Sequence, residues 1–346
     1  MKKVMFFAFT LAALCICGSC EEKVPNGPTP PQGEQPDNTD PAIAAATEAV
    51  NALIAENGDF IVDTQEVKRL LYSNSIYGDA WQLDAQFTYD ANFEKMESIV
   101  YNFGTPLWED NNLPVLAFGA TGMSGYHLTD NAEIVECIKV GYTYDSRDIA
   151  ITFTTDEGKT SVAKLTALSD DVLILDGEDY VRYVFKSVEG MECVNISATR
   201  RIAQLLENST FDKSNVAEQL VGTWSLNTSV QYNSDWSKVI SPDLVFGELF
   251  CAGLGPKSLT FEADGTGSYV IMVEGPTSDE DVTYTFNWQY NLENSTLTLT
   301  GDINREVVVK GFDTKNLVIE YIMSYDNVDT THYCREIFVK KQTAQE

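Results

Sequence analysis

The chain has few histidines, few basic residues and no motif typical of catalysis or metal binding. Its 346 residues include two histidines, and 23 lysines and arginines stand against 52 aspartates and glutamates. The net charge of −29 repels phosphate backbones, which excludes nucleic acid as a partner. No Gly-x-Ser-x-Gly elbow, His-Glu-x-x-His helix or cysteine and histidine metal spacing occurs in the sequence. We therefore expect a non-enzymatic protein with no metal and no cofactor.

Long apolar runs are also scarce, and the clearest one lies at the start of the chain. Two lysines precede an apolar run over residues 4–17, and small residues then lead to Cys20. This pattern predicts a signal peptide over residues 1–19, too short to span a bilayer. Its end resembles a bacterial lipobox, which implies that Cys20 becomes acylated and is the lipid attachment site. Acyl chains on Cys20 would hold the protein on the outer-membrane lipid.

Two features after Cys20 concern the cell surface. Glu21 and Glu22 resemble the surface-export signal of Bacteroidetes lipoproteins, which implies a cell-surface location; the alternatives are that they open a solvated tether, or that the protein faces the periplasm. Six of the chain's 11 prolines lie within residues 24–41. Such a segment cannot form a core, so residues 20–41 are predicted to be a lipidated, proline-rich tether.

Cysteines are few in the folded part of the chain. Beyond Cys20 they are Cys137, Cys193, Cys251 and Cys334. An even number in an exported chain allows three disulfide pairings, and buried free thiols are equally compatible with domains of this size. The sequence leaves the pairing open.

The chain contains an internal repeat. When residues 81–128 are shifted by 143 positions they overlay residues 224–271 without a gap, and twelve positions match, among them Trp81 with Trp224 and Tyr126 with Tyr269. Ordinary composition would give roughly three matches by chance. We therefore predict two related domains, over residues 42–190 and 191–346.

Both copies are predicted to be rich in β-strands. Short segments of aromatic and β-branched residues alternate with polar ones and are separated by glycine-containing turns. About eight antiparallel strands per copy are expected to close into a barrel, because closure removes exposed strand edges. Short helices should introduce each copy and plug or cover the barrel ends. Their predicted caps are Asp40 before Pro41, Asp63 with Glu66, Ser197 before Ala198, and Asn215 before Val216.

A family resemblance rests on three segments of the second copy. The segments 220–226, 259–269 and 286–290 resemble the lipocalin-like domains of Bacteroidetes surface lipoproteins, and the first copy is a degenerate version. The resemblance implies two tandem antiparallel lipocalin-like (calycin-type) β-barrels, an all-β fold with short capping helices. It also implies that Trp81 and Trp224 close the barrel bases as structural residues.

Candidate contact residues come from the long connection after the first strand of each copy, residues 90–114 and 233–256. Connections of this length without secondary structure are uncommon unless they bind or cover something. Six aromatic residues within them are predicted to contact a ligand or another protein; the alternative is that they pack the connection onto the barrel. They are Phe93, Phe103, Trp108, Trp236, Phe246 and Phe250.

Three functions remain open on this basis. The leading hypothesis is binding of a small apolar or amphiphilic molecule, or a glycan, by the barrels. The second is a structural or adhesive role in which the barrels contact another protein. The third is a hydrolase or isomerase in one barrel, which would need a carboxylate or His127 with strongly perturbed titration inside a cleft. A barrel cavity of some 300 Å³ or more would favour the first over the second.

Overall fold

The structure is a computed structural model that describes residues 40–58, 63–72, 78–104, 106–108, 115–209, 211–250, 256–273, 280–325 and 328–341. It contains two compact units that divide between Cys193 and Val194. The predicted signal peptide, Cys20 and most of the tether lie outside the described residues, as does Cys251. Among the helices in those ranges, none combines the length and apolar content needed to cross a lipid bilayer.

Over the described residues, four α-helices and one short 3₁₀ turn (Lys213–Asn215) precede or link the strands. The Asp40 carboxylate accepts from the Ala42 N–H and Pro41 begins the first helix, both as predicted, and Gly58 follows the helix. Asp63 caps the second helix, but Glu66 bonds to Arg69 instead of completing a capping box. The helices are α1 (Pro41–Asn57), α2 (Thr64–Leu71), α3 (Gly190–Asn208) and α4 (Val216–Leu220).

The first unit is a closed antiparallel barrel. Its sheet runs in the order β2-β1-β3-β4-β5-β6-β7-β8-β9, and β1 also pairs with β9. The ring has eight strand positions because β2 and β3 share one edge of β1. The strands are β1 (Asp79–Tyr89), β2 (Met96–Tyr101), β3 (Val115–Phe118), β4 (Gly122–Leu128), β5 (Ile134–Asp145), β6 (Ala150–Thr154), β7 (Thr160–Leu168), β8 (Val172–Gly177) and β9 (Val181–Glu189).

The second unit repeats this closed barrel. Its sheet runs in the order β12-β11-β10-β13-β14-β15-β16-β17-β18-β19, and β10 also pairs with β19. The predicted fold class, two tandem antiparallel barrels with a few short helices, is confirmed. The strands are β10 (Gly222–Tyr232), β11 (Val239–Val245), β12 (Glu248–Leu249), β13 (Pro256–Phe261), β14 (Thr266–Val273), β15 (Glu280–Asn291), β16 (Thr296–Gly301), β17 (Arg305–Phe312), β18 (Asn316–Tyr325) and β19 (Val328–Lys340).

The connections after the first strands contain strands, which corrects the sequence prediction. Strand β2 pairs with the end of β1, and β11 pairs in the same way with β10. Each supplies the first part of a second barrel strand that β3 or β13 then continues. The two registers agree at positions 143 apart, since Tyr89 pairs with Met96 and Tyr232 with Val239.

The repeat slips by one residue at a turn. Phe118 pairs with Met123, whereas Phe261 pairs with Gly267, so the turn of the second barrel is one residue longer. Tyr126 then lies opposite Val115, while Tyr269 lies opposite Leu259. Because neighbouring strand residues face opposite sides, Tyr269 faces the barrel interior and Tyr126 faces outward. The gap-free match of these two tyrosines is therefore wrong in three dimensions.

A bulge in the first strand of each barrel switches which side chains face inward. The register of β1 against β9 shifts between Leu83 and Ala85, and that of β10 against β19 shifts between Leu226 and Thr228. Trp81 and Leu83 belong to the interior core, whereas Ala85, Phe87 and Tyr89 belong to a separate cluster with α1. One strand thus supplies both the barrel lining and an outer packing face.

The helices have two different roles, which corrects part of the prediction. The short helices α2 and α4 contribute Val67, Leu71, Val216 and Leu220 to the interior cores, so they plug the barrels as predicted. The long helix α1 packs on the outer face of its barrel. Helix α3 also lies on an outer face, where the Thr199 hydroxyl accepts from the Val239 N–H at 3.0 Å.

The predicted cap of the third helix is wrong. Helix α3 begins at Gly190, so Ser197 lies inside it. Val194, Ala198 and Ile202 are buried at intervals of four residues and carry the helix past that serine.

Three of the four cysteines left open by the sequence are described. Cys193 and Cys334 are buried free thiols, and the Cys137 thiol donates a hydrogen bond to the Gly125 carbonyl at 3.2 Å. Burial raises the pKa of Cys193 to about 12 and that of Cys334 to about 11. Buried thiols of this kind pack as small apolar groups and react slowly.

Candidate functional site

The second barrel contains a cavity of about 470 Å³. This volume falls within the range typical of small-molecule sites, about 300 to 1,000 Å³. Seven aliphatic or thioether residues contribute to its wall, and Leu249, which is 64% exposed, marks the side open to solvent. These residues are Leu226, Val230, Leu244, Leu249, Ile271, Met272 and Met323.

A buried carboxyl group lies in the wall of this cavity. Glu336 is 3% exposed, and its Oε1 accepts a hydrogen bond of 2.8 Å from the Tyr321 hydroxyl. It faces inward because β19 alternates, with Phe338 in the interior core and Arg335 on the opposite side. Burial raises the pKa of the Glu336 carboxyl, and the nearby Arg305 and the Tyr321 hydrogen bond only partly oppose this.

Arg305 places a guanidinium group in the same wall. It occupies the inward-facing position of β17 opposite Leu299, and its Cζ lies 4.2 Å from the centre of the Tyr321 ring. The aromatic face stabilises this cation, and the Tyr321 hydroxyl in turn bonds to Glu336. Arg305, Tyr321 and Glu336 therefore form one row of polar groups across an otherwise apolar wall.

The remaining charged groups of the cavity are partly neutralised. Asp243 lies beside Ser229, which hydrogen-bonds its carboxylate, and burial raises the pKa of the Asp243 carboxyl. Lys257 is about half exposed, and its Nζ lies 2.5 Å from Oδ1 of Asp281. Burial also raises the pKa of Tyr269 and Tyr321 well above the usual range, so both hydroxyls remain protonated donors.

The interior of the first barrel has a different content. Tyr183 lies opposite Gln86, and Glu336 lies opposite Ser229, which is 143 residues after Gln86. A large aromatic therefore takes the place of the buried glutamate. Ser161, opposite Phe153, takes the place of Arg305. The core of the first barrel is filled by bulky side chains, including Trp81, Phe118, Tyr142, Phe153, Tyr183 and Phe185.

A hollow of about 210 Å³ also exists in the first barrel. Ala117, Ser124, Tyr126 and Lys139 line it and face away from the interior core. It is therefore a feature of the outer surface.

Each barrel carries a buried arginine and carboxylate pair on its outer face. In the first, Arg182 binds Asp176 through two hydrogen bonds of 2.6 and 2.8 Å and lies over the Tyr89 ring. In the second, Arg335 binds Glu320 and lies over the Tyr232 ring. The two pairs consist of the same types of group at equivalent strand positions. In each, the guanidinium is packed between its carboxylate partner and a tyrosine ring.

Four of the six aromatic residues predicted as contacts lie over these outer faces. Phe93 and Trp236 occupy equivalent turns with φ of 57° and 62°. Trp236 lies 5.7 Å from the Arg335 guanidinium, and Phe93 lies 5.5 Å from that of Arg182. Phe103 packs on Phe87, and Phe246 packs on Arg201 of α3.

None of the six lines the cavity. Phe93, Phe103, Trp236 and Phe246 pack on side chains of the outer faces, and contact of any of the six with a ligand or another protein stays a prediction. Trp108 is fully buried, and Phe250 is half-buried beside β11, where its N–H bonds to the Asp243 carbonyl. The cavity residues themselves were not among the predicted contacts.

The two base tryptophans lie at equivalent positions. The Trp224 indole N–H donates to the Leu220 carbonyl at 2.7 Å, and that of Trp81 donates to the Leu71 carbonyl at 3.4 Å. In each barrel the tryptophan thus ties the plugging helix to the first strand. Both belong to interior cores and neither lines the cavity.

The histidines lie outside any apparent catalytic arrangement. His332 Nδ1 lies 2.9 Å from Oε1 of Gln231, and His127 lies on β4 of the first barrel. In the described ranges, no three His, Cys, Asp or Glu side chains come together closely enough to hold a metal ion. The carboxyl groups available for acid–base chemistry in the cavity are therefore those of Glu336 and Asp243.

One sequence signal pointed to the cavity residues. In β19 the buried Phe338 fixes the inward face, so strict alternation places Glu336 and Cys334 inward as well. A glutamate at an inward position of a strand is the anomaly that sequence reasoning missed. Arg305 carries the same signal, two residues before the buried Val307.

Comparison with known proteins gives structural similarities alone. No protein-family model matches the chain, and no curated protein matches it. The lipocalin-like protein from Bacteroides uniformis is 14% identical, covering 32% of this chain and 98% of that one, with a TM-score of 0.23. Bovine odorant-binding protein in complex with undecanal is 17% identical, covering 39% and 78%, with a TM-score of 0.26. Bovine lipocalin allergen Bos d 2 is 14% identical, covering 37% and 77%, with a TM-score of 0.25.

Proposed function

We propose that this protein binds one small amphiphilic molecule in the cavity of its second barrel and performs no chemistry on it. The observation that carries the proposal is the cavity of about 470 Å³, whose wall is mainly aliphatic and crossed by a short row of polar groups. Apolar walls stabilise a hydrocarbon portion, and a few polar groups orient a head group. A glycan is less suited to this wall, because its many hydroxyls would meet leucine, isoleucine and methionine.

A second candidate function applies to the first barrel. Its filled interior leaves a structural or adhesive role, in which its outer surface contacts another protein. The two functions are compatible in one chain, since each uses a different barrel. They predict a stoichiometry of one small molecule per chain, whereas two binding barrels would give two.

The enzymatic alternative has one observation in its favour. Glu336 is a buried carboxyl with a raised pKa inside a cleft, which is the feature a hydrolase would need. However, the Tyr321 hydroxyl already occupies one oxygen of Glu336, and Arg305 lies against Tyr321 rather than beside a nucleophile. Native mass spectrometry of the protein from its own host distinguishes the two. A binding protein releases its co-purified molecule unchanged on repeated incubation, and an enzyme converts it.

Filling the cavity should abolish binding. Ile271 faces the cavity from β14, so an Ile271→Trp substitution places a much larger side chain in that space. We expect the affinity for the fluorescent apolar probe N-phenyl-1-naphthylamine to fall at least about tenfold, because the indole would occupy space in the cavity that the probe needs. Fluorescence titration of the whole chain measures both the affinity and the stoichiometry.

A matched control introduces a tryptophan on the outward side of the sheet instead of the cavity side. Thr283 is exposed on the neighbouring strand and pairs with Val270, so it faces outward. Thr283→Trp should bind the probe as the unmodified protein does. Equal binding by the two variants, or two probe molecules per chain, would contradict a site in the second barrel.

We further propose that the protein is a lipocalin-like surface lipoprotein of Bacteroidetes type, held in the outer membrane through acylated Cys20. The lipobox-like segment before Cys20 and the acidic pair after it support this. Replacing Cys20 with alanine should move the protein from the membrane fraction to the soluble fraction of its host, because the acyl chains supply the anchoring free energy. Proteinase treatment of intact cells should degrade the unmodified protein if it faces outward, and protection would indicate a periplasmic orientation.

A further inference from the structure

The Arg305 guanidinium has hydrogen-bonding capacity that the protein does not use. Its face rests on the Tyr321 ring, 4.2 Å from the centre, and the side chain lines the cavity. In the part of the chain that the structure describes, no carboxylate forms a salt bridge with it, and the one side-chain hydrogen bond assigned to it is with the Tyr321 hydroxyl, which itself donates to Glu336. An arginine carries five N–H donors in a planar arrangement that suits an oxyanion.

The two arginines on the outer faces each have a carboxylate partner, unlike Arg305. Arg182 has Asp176 within 2.6 Å, and Arg335 has Glu320 within 2.8 Å. Both lie on outer faces, each against a tyrosine ring as well as its carboxylate. Arg305 differs from Arg182 and Arg335 because its guanidinium borders the cavity, whereas theirs are bound to a carboxylate.

A ligand without a polar head group would leave the Arg305 guanidinium desolvated, which costs free energy. When a hydrocarbon displaces water from the cavity, Arg305 loses solvation and gains no counter-charge. A ligand whose head carries two oxygens and a negative charge would replace that water with bidentate hydrogen bonds. The cavity therefore discriminates by head group as well as by hydrocarbon content.

We propose, building on the proposed function, that the second barrel selects amphiphiles with an anionic oxygen head group and that Arg305 is the residue that selects them. The head group is a carboxylate or a similar oxyanion, and the chain lies along the aliphatic wall formed by residues such as Leu226, Ile271 and Met323. The Tyr321 ring contacts the Arg305 guanidinium and helps to hold it in position.

The acidic groups facing Arg305 are held so that they compete little with such a ligand. Glu336 bonds to the Tyr321 hydroxyl, and Ser229 bonds to Asp243. Burial raises the pKa of both carboxyl groups, so each carries less negative charge at a given pH than an exposed carboxyl. Tyr269 and Cys334, the other titratable groups of the wall, have pKa values raised by burial and stay neutral. Lys257 is paired with Asp281.

The internal repeat supports a specific role for this arginine. At the equivalent position of the first barrel stands Ser161, which is buried against a filled interior. The outer arginine and carboxylate pairs occur in both barrels, so they serve a purpose that both barrels share. A charge found in the second interior and missing from the first belongs to what only the second barrel does.

The test compares three probes with the same twelve-carbon chain: dodecanoate, dodecanol and dodecyltrimethylammonium. Each displaces N-phenyl-1-naphthylamine from the whole chain at neutral pH and low salt, below its micelle-forming concentration. We expect dodecanoate to displace the probe at a concentration at least about tenfold lower than dodecanol, since a hydrogen bond to a charged group contributes on that scale. The ammonium compound should be the weakest of the three.

Three variants assign the preference to Arg305. Arg305→Gln should remove the advantage of dodecanoate and leave dodecanol binding unchanged. Arg305→Lys, which keeps the charge but not the planar donors, should retain part of the advantage. Lys310→Gln removes a positive charge from the outward face of the same strand, where Lys310 is about half exposed, and should leave the preference intact.

The outcomes separate this inference from the proposed function. Equal displacement by all three probes, or strongest displacement by the ammonium compound, overturns the selection while leaving a binding cavity. A preference for dodecanoate that persists in Arg305→Gln assigns it to another group and overturns the role of Arg305. Failure of the unmodified protein to bind any probe overturns the proposed function itself. If Arg305→Gln does not fold, the probe series on the unmodified protein and on Arg305→Lys still decides.

Discussion

Replacing Glu320 with alanine is expected to lower the free energy of unfolding of the second barrel by about 3 to 5 kcal/mol, the range found when one partner of a buried ion pair is removed. The Arg335 side chain is 9% exposed and has Glu320 as its carboxylate partner. Without Glu320, its charge stays buried beside the Tyr232 ring with one remaining hydrogen bond of 2.7 Å, to the Tyr232 hydroxyl. Urea-induced unfolding followed by circular dichroism measures the loss.

A matched substitution exists in the first barrel. Asp176→Ala removes the partner of Arg182, which is equally buried, and should produce a loss of similar size in that barrel. Thr166 also loses its acceptor there, since its hydroxyl donates to Asp176 at 2.7 Å. Lys310→Ala serves as the control, because Lys310 lies 3.3 Å from Glu320 but is about half exposed and should cost at most about 1 kcal/mol.

The two-residue replacement tests the cause of the loss. When Glu320 and Arg335 are replaced together by leucine and methionine, neither member of the pair is left behind as an uncompensated buried charge. The double variant should therefore be more stable than Glu320→Ala. If the double variant is as unstable as the single one, the pair contributes through its packing rather than through charge compensation.

Alternation and turn chemistry were sufficient to predict most strands but not the short second strand of each barrel. In β2 the side chains of Glu97, Ser98 and Val100 are exposed, so the segment lacks a strand-like apolar stripe. It forms because its backbone pairs with the end of β1, which is a contact between segments that the local pattern does not record. The start of α3 was predicted wrongly for a different reason. Ser197 is a favourable capping residue, but the buried apolar positions of the helix continue at four-residue intervals back to Val194.

The repeat comparison could not predict the cavity. One extra turn residue before β14 means that, in a gap-free overlay, each side chain of β14 faces the opposite side of the sheet from its counterpart in β4. A gap-free overlay treats Tyr126 and Tyr269 as equivalent, although only Tyr269 faces its barrel interior. Similarly, four of the six aromatic residues predicted as contacts were chosen because the two copies share an aromatic at those positions. Residues that the copies share cannot reveal a cavity formed by residues such as Arg305 and Glu336, which the first copy lacks.

This contrast gives the repeat a physical interpretation. What both barrels need to stay folded is the same in each: a tryptophan bonded to a plugging helix, a bulge in the first strand, and an arginine and carboxylate pair under a turn aromatic. Interior polarity is not needed for folding, and a buried Glu336 opposes it. A destabilising feature that occurs in one copy is most simply explained by the function of that copy.

Replacing Trp224 with alanine is the second change with a large expected effect, a loss of about 3 to 5 kcal/mol in the free energy of unfolding of the second barrel. Trp224 is fully buried, and its ring centre lies 5.7 Å from that of Phe312. The Lys340 ammonium lies 5.0 Å from the Trp224 ring centre. Removing the indole leaves a cavity and also releases the Leu220 carbonyl at the end of α4.

The matched variants separate packing from the hydrogen bond. Trp224→Phe keeps much of the volume but loses the 2.7 Å bond to Leu220, and Trp81→Phe loses the longer 3.4 Å bond to Leu71. Ser187 stands opposite Trp81 where Lys340 stands opposite Trp224, so the first barrel has no stacked cation to lose at that position. Trp224→Phe should therefore cost more than Trp81→Phe in urea unfolding. Equal costs would mean that neither the shorter bond nor the lysine contributes measurably, and that apolar packing alone closes both barrels.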